Sequence, residues 1–310
     1  MRVQLSRAVT LSATHYTDPG CPWAYSASPA LATLYWRYGD GLDWRLVTIG
    51  LTEDGAQYER RGYTPARSAR GYRGFRRYGM PFSTQPRRRI PGTSRACRAI
   101  VATRLSRPDL EYAAFRALQF GWFTTDLVLD EDHDIAAALA TVPGLDAAGV
   151  VAAIEDPAVV EAYEADRAEA RTAAGGPTEF QGKAANSDGA VRFTAPSVVF
   201  ETGDGRRLEG GGFQPVEAYD VLIANLDPTL ARRPAPPDPL EALAAQPWGL
   251  TTQEVAAVMV SGNDAPDRAA AEDALIGLAA DGTAVRVPLG DDALWLPGRA
   301  IAESHERRAA

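Results

Sequence analysis

The sequence predicts an α/β protein in which a strand–helix–strand unit is interrupted by a helical block, completed by a strand hairpin and a helix, and followed by a small α+β module. Three observations predict it. Runs rich in β-branched and aromatic residues stand at 8–17, 42–51 and 197–201, each bounded by turn residues. Apolar residues at helical spacing fill the 93–174 stretch between the second and third of these runs. A proline-rich segment, DPTLARRPAPPDP at 227–239, separates all of this from the remainder of the chain.

The elements follow in order. AVTLSATHYT (8–17) reads as a strand, and DPGCP supplies turn chemistry. Pro22 suits the first turn of a helix, where a missing N–H costs nothing. Ala27, Leu31, Leu34, Tyr35 and Tyr38 then recur at helical spacing until Gly39 and Gly41 stop the helix. LDWRLVTIGL (42–51) is the second strand. The Gly-, Arg- and Tyr-rich stretch 55–89 has little apolar periodicity and reads as short helices or a cover. Helices are expected over 93–105, 109–123, 132–140, 147–154 and 157–173, with "PGLD" and "EDPAVV" as start signals. A loop at 175–190 leads to Ala195-Pro196, the strand SVVFE, a TGDG turn, a return strand at 206–210 and a helix over 215–226. After the linker, LTTQEVAAVM and DRAAAEDALIGLAADG read as helices and TAVRVPL–GDDA–LWLPG as a hairpin. Helix, helix and a two-stranded wing is the order of a winged-helix domain. The domain boundaries that result are 8–54, 55–190, 191–227, a linker at 228–239, and 240–300.

At 310 residues and 33.2 kDa, the chain has room for two or three domains. No window is apolar enough to span a bilayer, so no membrane association is expected. The stretch MRVQLSRAVTLSATHYTDP holds no run long enough for a signal h-region. Two cysteines, Cys21 and Cys97, make no disulfide framework, and a reducing, cytoplasmic compartment is expected. No metal site is read from the sequence.

Cys21 sits where a strand ends and a helix begins. A thiol there faces unpaired N–H groups and the positive end of the helix dipole, which favour thiolate and predict a pKa below that of free cysteine. His15, six residues earlier on the incoming strand, and Asp18 in the same turn are candidates for tuning that pKa. Trp23 is placed to wall the site. Cys97 reads as a buried small hydrophobe, with a distant resolving role as its alternative.

The order strand, D-P-x-C-P-W, helix, strand, helical insertion, Xaa-Pro before a strand, hairpin and final helix resembles the DsbA-like branch of the thioredoxin superfamily. Within it, the chain is similar to the FrnE-like group, which is related to 2-hydroxychromene-2-carboxylate isomerases and kappa-class glutathione transferases. The resemblance covers residues 8 to 227. It implies a thioredoxin-like fold with an inserted helical domain, a catalytic Cys21, and Pro196 as a cis-proline facing it. It further implies that the Ala195 backbone, with Pro22 and Trp23, binds the thiol or disulfide partner. The departure is Ala24, which stands where dithiol members carry the resolving cysteine. A mixed disulfide formed by Cys21 then needs a thiol from solution to release it. The resemblance therefore implies a monothiol oxidoreductase with no tightly bound cofactor and with glutathione or mycothiol as co-substrate. A thiol-cofactor isomerase or transferase is the alternative, and a non-enzymatic interaction protein with a degenerate site is a third.

Charge is unevenly spread. From Gly55 to Arg107 there are 14 arginines and one acid, Glu59, although the net charge is −8. Its Arg/Tyr-rich part, 58–89, reads first as a solvated basic surface balancing acidic helices elsewhere, second as a cover over the active site that binds an anionic thiol, third as a nucleic-acid contact. From Asp238 to Arg299 there are ten acids and three arginines. A DNA-reading module needs a basic face, and Glu272 and Asp273 would meet phosphates. The C-terminal module is therefore expected to serve packing, self-association or protein contact rather than DNA.

Overall fold

The computed structural model describes residues 11–186, 189–262 and 264–298. Residues 8–10 of the expected first strand and 299–300 of the C-terminal module lie outside the described residues.

The central unit opens with β1 (Leu11–Thr17), α1 (Pro22–Ser26), α2 (Ser28–Tyr38) and β2 (Leu42–Thr48). A helical block follows: α3 (Gly55–Arg60), α4 (Pro65–Phe75), α5 (Ser94–Ser106), α6 (Glu111–Thr124), α7 (Asp132–Leu139), α8 (Ala147–Ala152), α9 (Pro157–Ala170) and α10 (Pro177–Phe180). The chain then returns through β3 (Ala184–Ala185), β4 (Arg192–Phe193), β5 (Ser197–Glu201), β6 (Arg207–Gly211) and α11 (Val216–Leu226). The last module comprises α12 (Pro239–Ala245), β7 (Leu250–Thr251), α13 (Thr252–Val258), α14 (Arg268–Ala280), β8 (Ala284–Leu289) and β9 (Asp292–Pro297).

Four strands make the central sheet in the order β2-β1-β5-β6. β1 runs parallel to β2 and antiparallel to β5, and β5 is antiparallel to β6. Two side-chain layers enclose it. Leu11 and Ala13 of β1 pack with Leu31 and Leu34 of α2 and with Tyr219 and Ile223 of α11. Tyr16 and Val47 pack with Ala170 and Phe193 on the other side. A larger core lies within the helical block and includes Ile100, Phe115, Phe123, Leu139 and Tyr163.

Several elements differ from the sequence expectation, each for a local reason. The expected single helix after the motif is two helices that meet at Ala27, because the Pro29 ring conflicts with a carbonyl one turn earlier. β2 ends at Thr48 rather than Leu51, because the Leu51 N–H turns to the Asp18 carboxylate at 2.9 Å. The loop at 175–190 contains α10 and a short strand, β3, that pairs with β4. The proline-rich segment is seated rather than loose: Arg233 N donates to the Arg37 carbonyl at 2.7 Å, and Trp36 Nε1 to the Pro234 carbonyl at 2.7 Å. Asp238 caps α12, an element not read from the sequence, by accepting the Leu240 N–H at 2.7 Å.

The C-terminal module builds its core from Leu243, Val255, Leu275 and Trp295, and closes it with Ala32 and Trp36 of α2. Its three strands follow the order β7-β9-β8. The turn between β8 and β9 reaches the helical block, where the Asp291 carboxylate accepts the Phe82 N–H at 3.0 Å and pairs with Arg76 at 2.9 Å.

Candidate active site

The DPGCPW turn is held by its own aspartate. Asp18 is fully buried and accepts from Gly20 N at 2.8 Å, Leu51 N at 2.9 Å and Thr93 Oγ1 at 2.9 Å, tying the turn to the loop after β2 and to the start of α5. Gly20 is required by close approach: a Cβ there would stand 2.7 Å from Thr93 Cγ2 and 2.8 Å from the Trp122 ring. Pro22 occupies the first position of α1, which leaves Cys21 as the residue capping that helix.

The Cys21 thiol donates to the Ala195 carbonyl at 3.2 Å. The Ala195–Pro196 peptide is cis. Cys21 and Ala195 are each less than a tenth exposed, yet both line a cavity of about 360 Å³ with Trp23, Leu51, Lys183 and Arg192. Trp23 is 41% exposed and stands between two other features. Its ring meets Phe75, Tyr78 and Phe213 at 5.0, 5.7 and 5.7 Å. With Leu51 it also borders a second cavity of about 440 Å³, walled by Tyr58, Tyr72, Phe75 and Trp122. Ala24 is buried among the residues packed under the sheet, so no second thiol follows the first. The two cysteines of the chain are both free.

The electrostatics correct the expectations for Cys21, Asp18 and His15. Burial pushes the Cys21 thiol up to about 12, and the Asp18 charge adds to the rise, while the N–H groups of Ala24 and Trp23 and the Arg192 guanidinium oppose it. The helix-start amides do face the sulfur, but desolvation outweighs them. Asp18 thus acts on the thiol in the direction opposite to activation, and burial holds its own carboxyl above the usual range. His15 does not pair with the thiol. It lies 2% exposed, edge-on to Phe115 at 6.0 Å, with neither ring nitrogen hydrogen-bonded, and burial lowers its pKa to about 3. Cys97 is fully buried and its thiol lies 3.6 Å from Asp18 Oδ2, so it touches the support of the motif rather than Cys21.

Site residues that sequence reasoning missed come from distant segments: Leu51, Lys183, Arg192 and Phe213. Lys183 carried one signal, as the only lysine of the chain. Among the described residues no group of His, Cys, Asp and Glu is placed to hold a metal ion, and no helix is long and apolar enough to cross a membrane.

No family model matches the chain, and no curated protein matches it. Solved structures do. A candidate protein disulfide isomerase from Nitrosomonas europaea superposes with a TM-score of 0.53 at 16% identity, over 70% of this chain and 97% of that one. A candidate DsbA oxidoreductase from Streptomyces coelicolor superposes with a TM-score of 0.50 at 17% identity, over 71% of this chain and 91% of that one. At these identities the likeness is one of fold: the chain has a DsbA-like thioredoxin fold with an inserted helical block.

Proposed function

We propose that the chain is a cytoplasmic thiol-disulfide oxidoreductase of monothiol type, acting through Cys21. One observation carries this reading: a thiol at the start of α1 is hydrogen-bonded to the carbonyl preceding Pro196, and an alanine occupies the position where a resolving thiol would stand. The two structural neighbours, described as a disulfide isomerase and a DsbA oxidoreductase, support it. The cytoplasmic assignment rests on two unpaired cysteines.

Burial keeps the Cys21 thiol protonated, and it donates to the Ala195 carbonyl. A disulfide partner whose backbone N–H takes over that carbonyl leaves the thiol without its acceptor, and its proton passes to solvent base. The thiolate then faces the N–H groups of Trp23 and Ala24. It attacks one sulfur of the partner disulfide, forming a Cys21 mixed disulfide and expelling the other sulfur as thiolate. A low-molecular-weight thiol such as glutathione or mycothiol, as its thiolate, attacks the Cys21 sulfur of the mixed disulfide, expelling the partner's second thiolate and leaving Cys21 joined to the small thiol. A second such thiolate attacks the small thiol's sulfur, expels the Cys21 thiolate and leaves as the oxidised dimer, so that two small thiols are oxidised for each disulfide reduced. Lys183 and Arg192 place positive charge beside the sulfur, where the carboxylates of such a thiol would sit.

The protonated thiol favours a second reading, in which the site polarises a bound thiol for isomerase or transferase chemistry without itself being modified. Incubation with oxidised glutathione followed by intact-mass measurement separates the two. One glutathionyl group on Cys21, lost in Cys21→Ser and kept in Cys97→Ala, is the expected result. An unmodified chain, or an adduct on Cys97, overturns the oxidoreductase reading.

The same proposal divides the chain as the sequence suggested, with a thioredoxin unit at 8–54 and 191–227, the insertion at 55–190, the seated linker at 228–239, and a winged-helix-like module at 240–300. Its α-β-α-α-β-β order and β7-β9-β8 pairing support that last description. Its acidic composition favours a protein contact or self-association over DNA.

A further inference from the structure

The arginines of the helical block divide by what they meet. Arg88, Arg89, Arg95, Arg98, Arg104 and Arg107 each pair with one or two carboxylates. Just upstream, Arg60, Arg67, Arg70, Arg73 and Arg77 are all exposed, and among the described residues none has a carboxylate within ion-pair distance. The exposure of these five fits the solvated basic surface expected of 58–89, while Arg76, Arg88 and Arg89 of the same stretch pair with carboxylates. Arg67, Arg70, Arg73 and Arg77 recur at three- and four-residue spacing along α4 and the turn after it, so they form one cationic edge. The other side of α4, through Ser68, Tyr72 and Phe75, together with Arg67 at the edge, lines the aromatic cavity of about 440 Å³ that adjoins Cys21 across Trp23 and Leu51. Arg87 lines that cavity too. It is 8% exposed and reaches the Leu127 carbonyl, the Tyr72 hydroxyl and the rings of Tyr72 and Trp122, with no carboxylate partner among the described residues.

The chain carries a net charge of −8, yet among the described residues no carboxylate neutralises these groups. We infer that α3 and α4 form the docking surface for an acidic polypeptide that carries the disulfide attacked by Cys21. This rests on the oxidoreductase reading above. The charge selects an anionic partner, and the aromatic cavity between the cationic edge and the sulfur takes an apolar side chain beside the partner's cysteine. A nucleic acid would satisfy the edge but offers no sulfur to Cys21. Attraction between the strip and an acidic segment acts on encounter, so it accelerates association and weakens with salt.

Two peptides test this, each with one cysteine capped as its mixed disulfide with 2-mercaptoethanol, one flanked by glutamates and the other by arginines. Cys21 thiolate attack on the peptide sulfur expels 2-mercaptoethanol and leaves a chain–peptide disulfide that is followed by intact mass. At low salt the acidic peptide is expected to react at least about tenfold faster than the basic one, and high salt is expected to erase the difference. Arg70→Glu with Arg73→Glu, two side chains with no ion pair, hydrogen bond or ring contact among the described residues, is expected to remove the preference. Any loss of fold in that variant lowers both rates and leaves their ratio readable, and the salt dependence of the unaltered chain stands independently. Equal rates at low salt, or a preference that survives the double substitution, overturns the docking surface while leaving Cys21 as the nucleophile. Absence of an adduct with either peptide overturns the oxidoreductase reading, and the docking surface with it.

Discussion

Cys21 is placed where helix-start amides favour its anion and buried where solvent cannot. Burial wins, and the consequence is a measurable pH profile. Alkylation of Cys21 by iodoacetamide should accelerate about tenfold per pH unit through neutral pH with no plateau below pH ~9. A plateau at neutral pH or below would show that the amides prevail. His15 makes a second residue-scale prediction. Its folded-state pKa is lowered to about 3 from 6.5, so the unfolded chain takes up a proton below pH 6.5 that the folded chain refuses. Stability from this group is present above 6.5 and is lost as pH falls toward 3, by up to on the order of 5 kcal/mol. His15→Leu should flatten the acid limb of a denaturant-derived stability curve by about one proton. An unchanged limb would mean that His15 is charged in the fold.

At the scale of elements, the motif turn and α13 owe their positions to side-chain caps. The α13 start carries a reciprocal pair: Thr251 Oγ1 accepts the Glu254 N–H, and Glu254 Oε2 accepts the Thr251 N–H at 2.8 Å. Thr251→Ala removes one half and should cost about 1 kcal/mol in chemical unfolding. A cost indistinguishable from zero would show that tertiary packing alone sets this helix start. Two adjacent threonines, Thr251 and Thr252, stand at this helix start, and either hydroxyl can cap it. The choice fell to Thr251 because the Thr252 hydroxyl is engaged with Asp292 at 2.8 Å and with Trp295 Nε1 at 2.9 Å.

At the scale of the whole molecule, one buried ion pair joins the helical block to the C-terminal module. Arg116 of α6 and Glu254 of α13 meet at 2.7 Å, exposed by only 2% and 1%, with the guanidinium lying over the Phe120 ring at 4.5 Å. Removing one partner strands the other charge. Arg116→Met should therefore destabilise by about 3–5 kcal/mol, and Arg116→Met with Glu254→Gln should recover most of the loss. Thermal unfolding of both variants checks this; equal losses in the two would mean that the charge is not what the interface depends on. The C-terminal module packs onto the rest through Ala32 and Trp36 in its core as well as through this pair, beyond its link through the proline-rich segment.

Local chemistry sufficed for much of this protein. The strand and helix order, the motif at a helix start, the proline beside it and the missing second thiol are properties of short stretches, in which turn residues, periodicity and spacing act through near neighbours. The sequence could not reveal the protonation of Cys21, the isolation of His15, the seating of 227–239, or the division of the arginines into paired and unpaired sets. Each depends on burial or on a partner far along the chain. Desolvation and ion pairing are decided by what folding brings within a few ångströms, and only the tertiary structure supplies that.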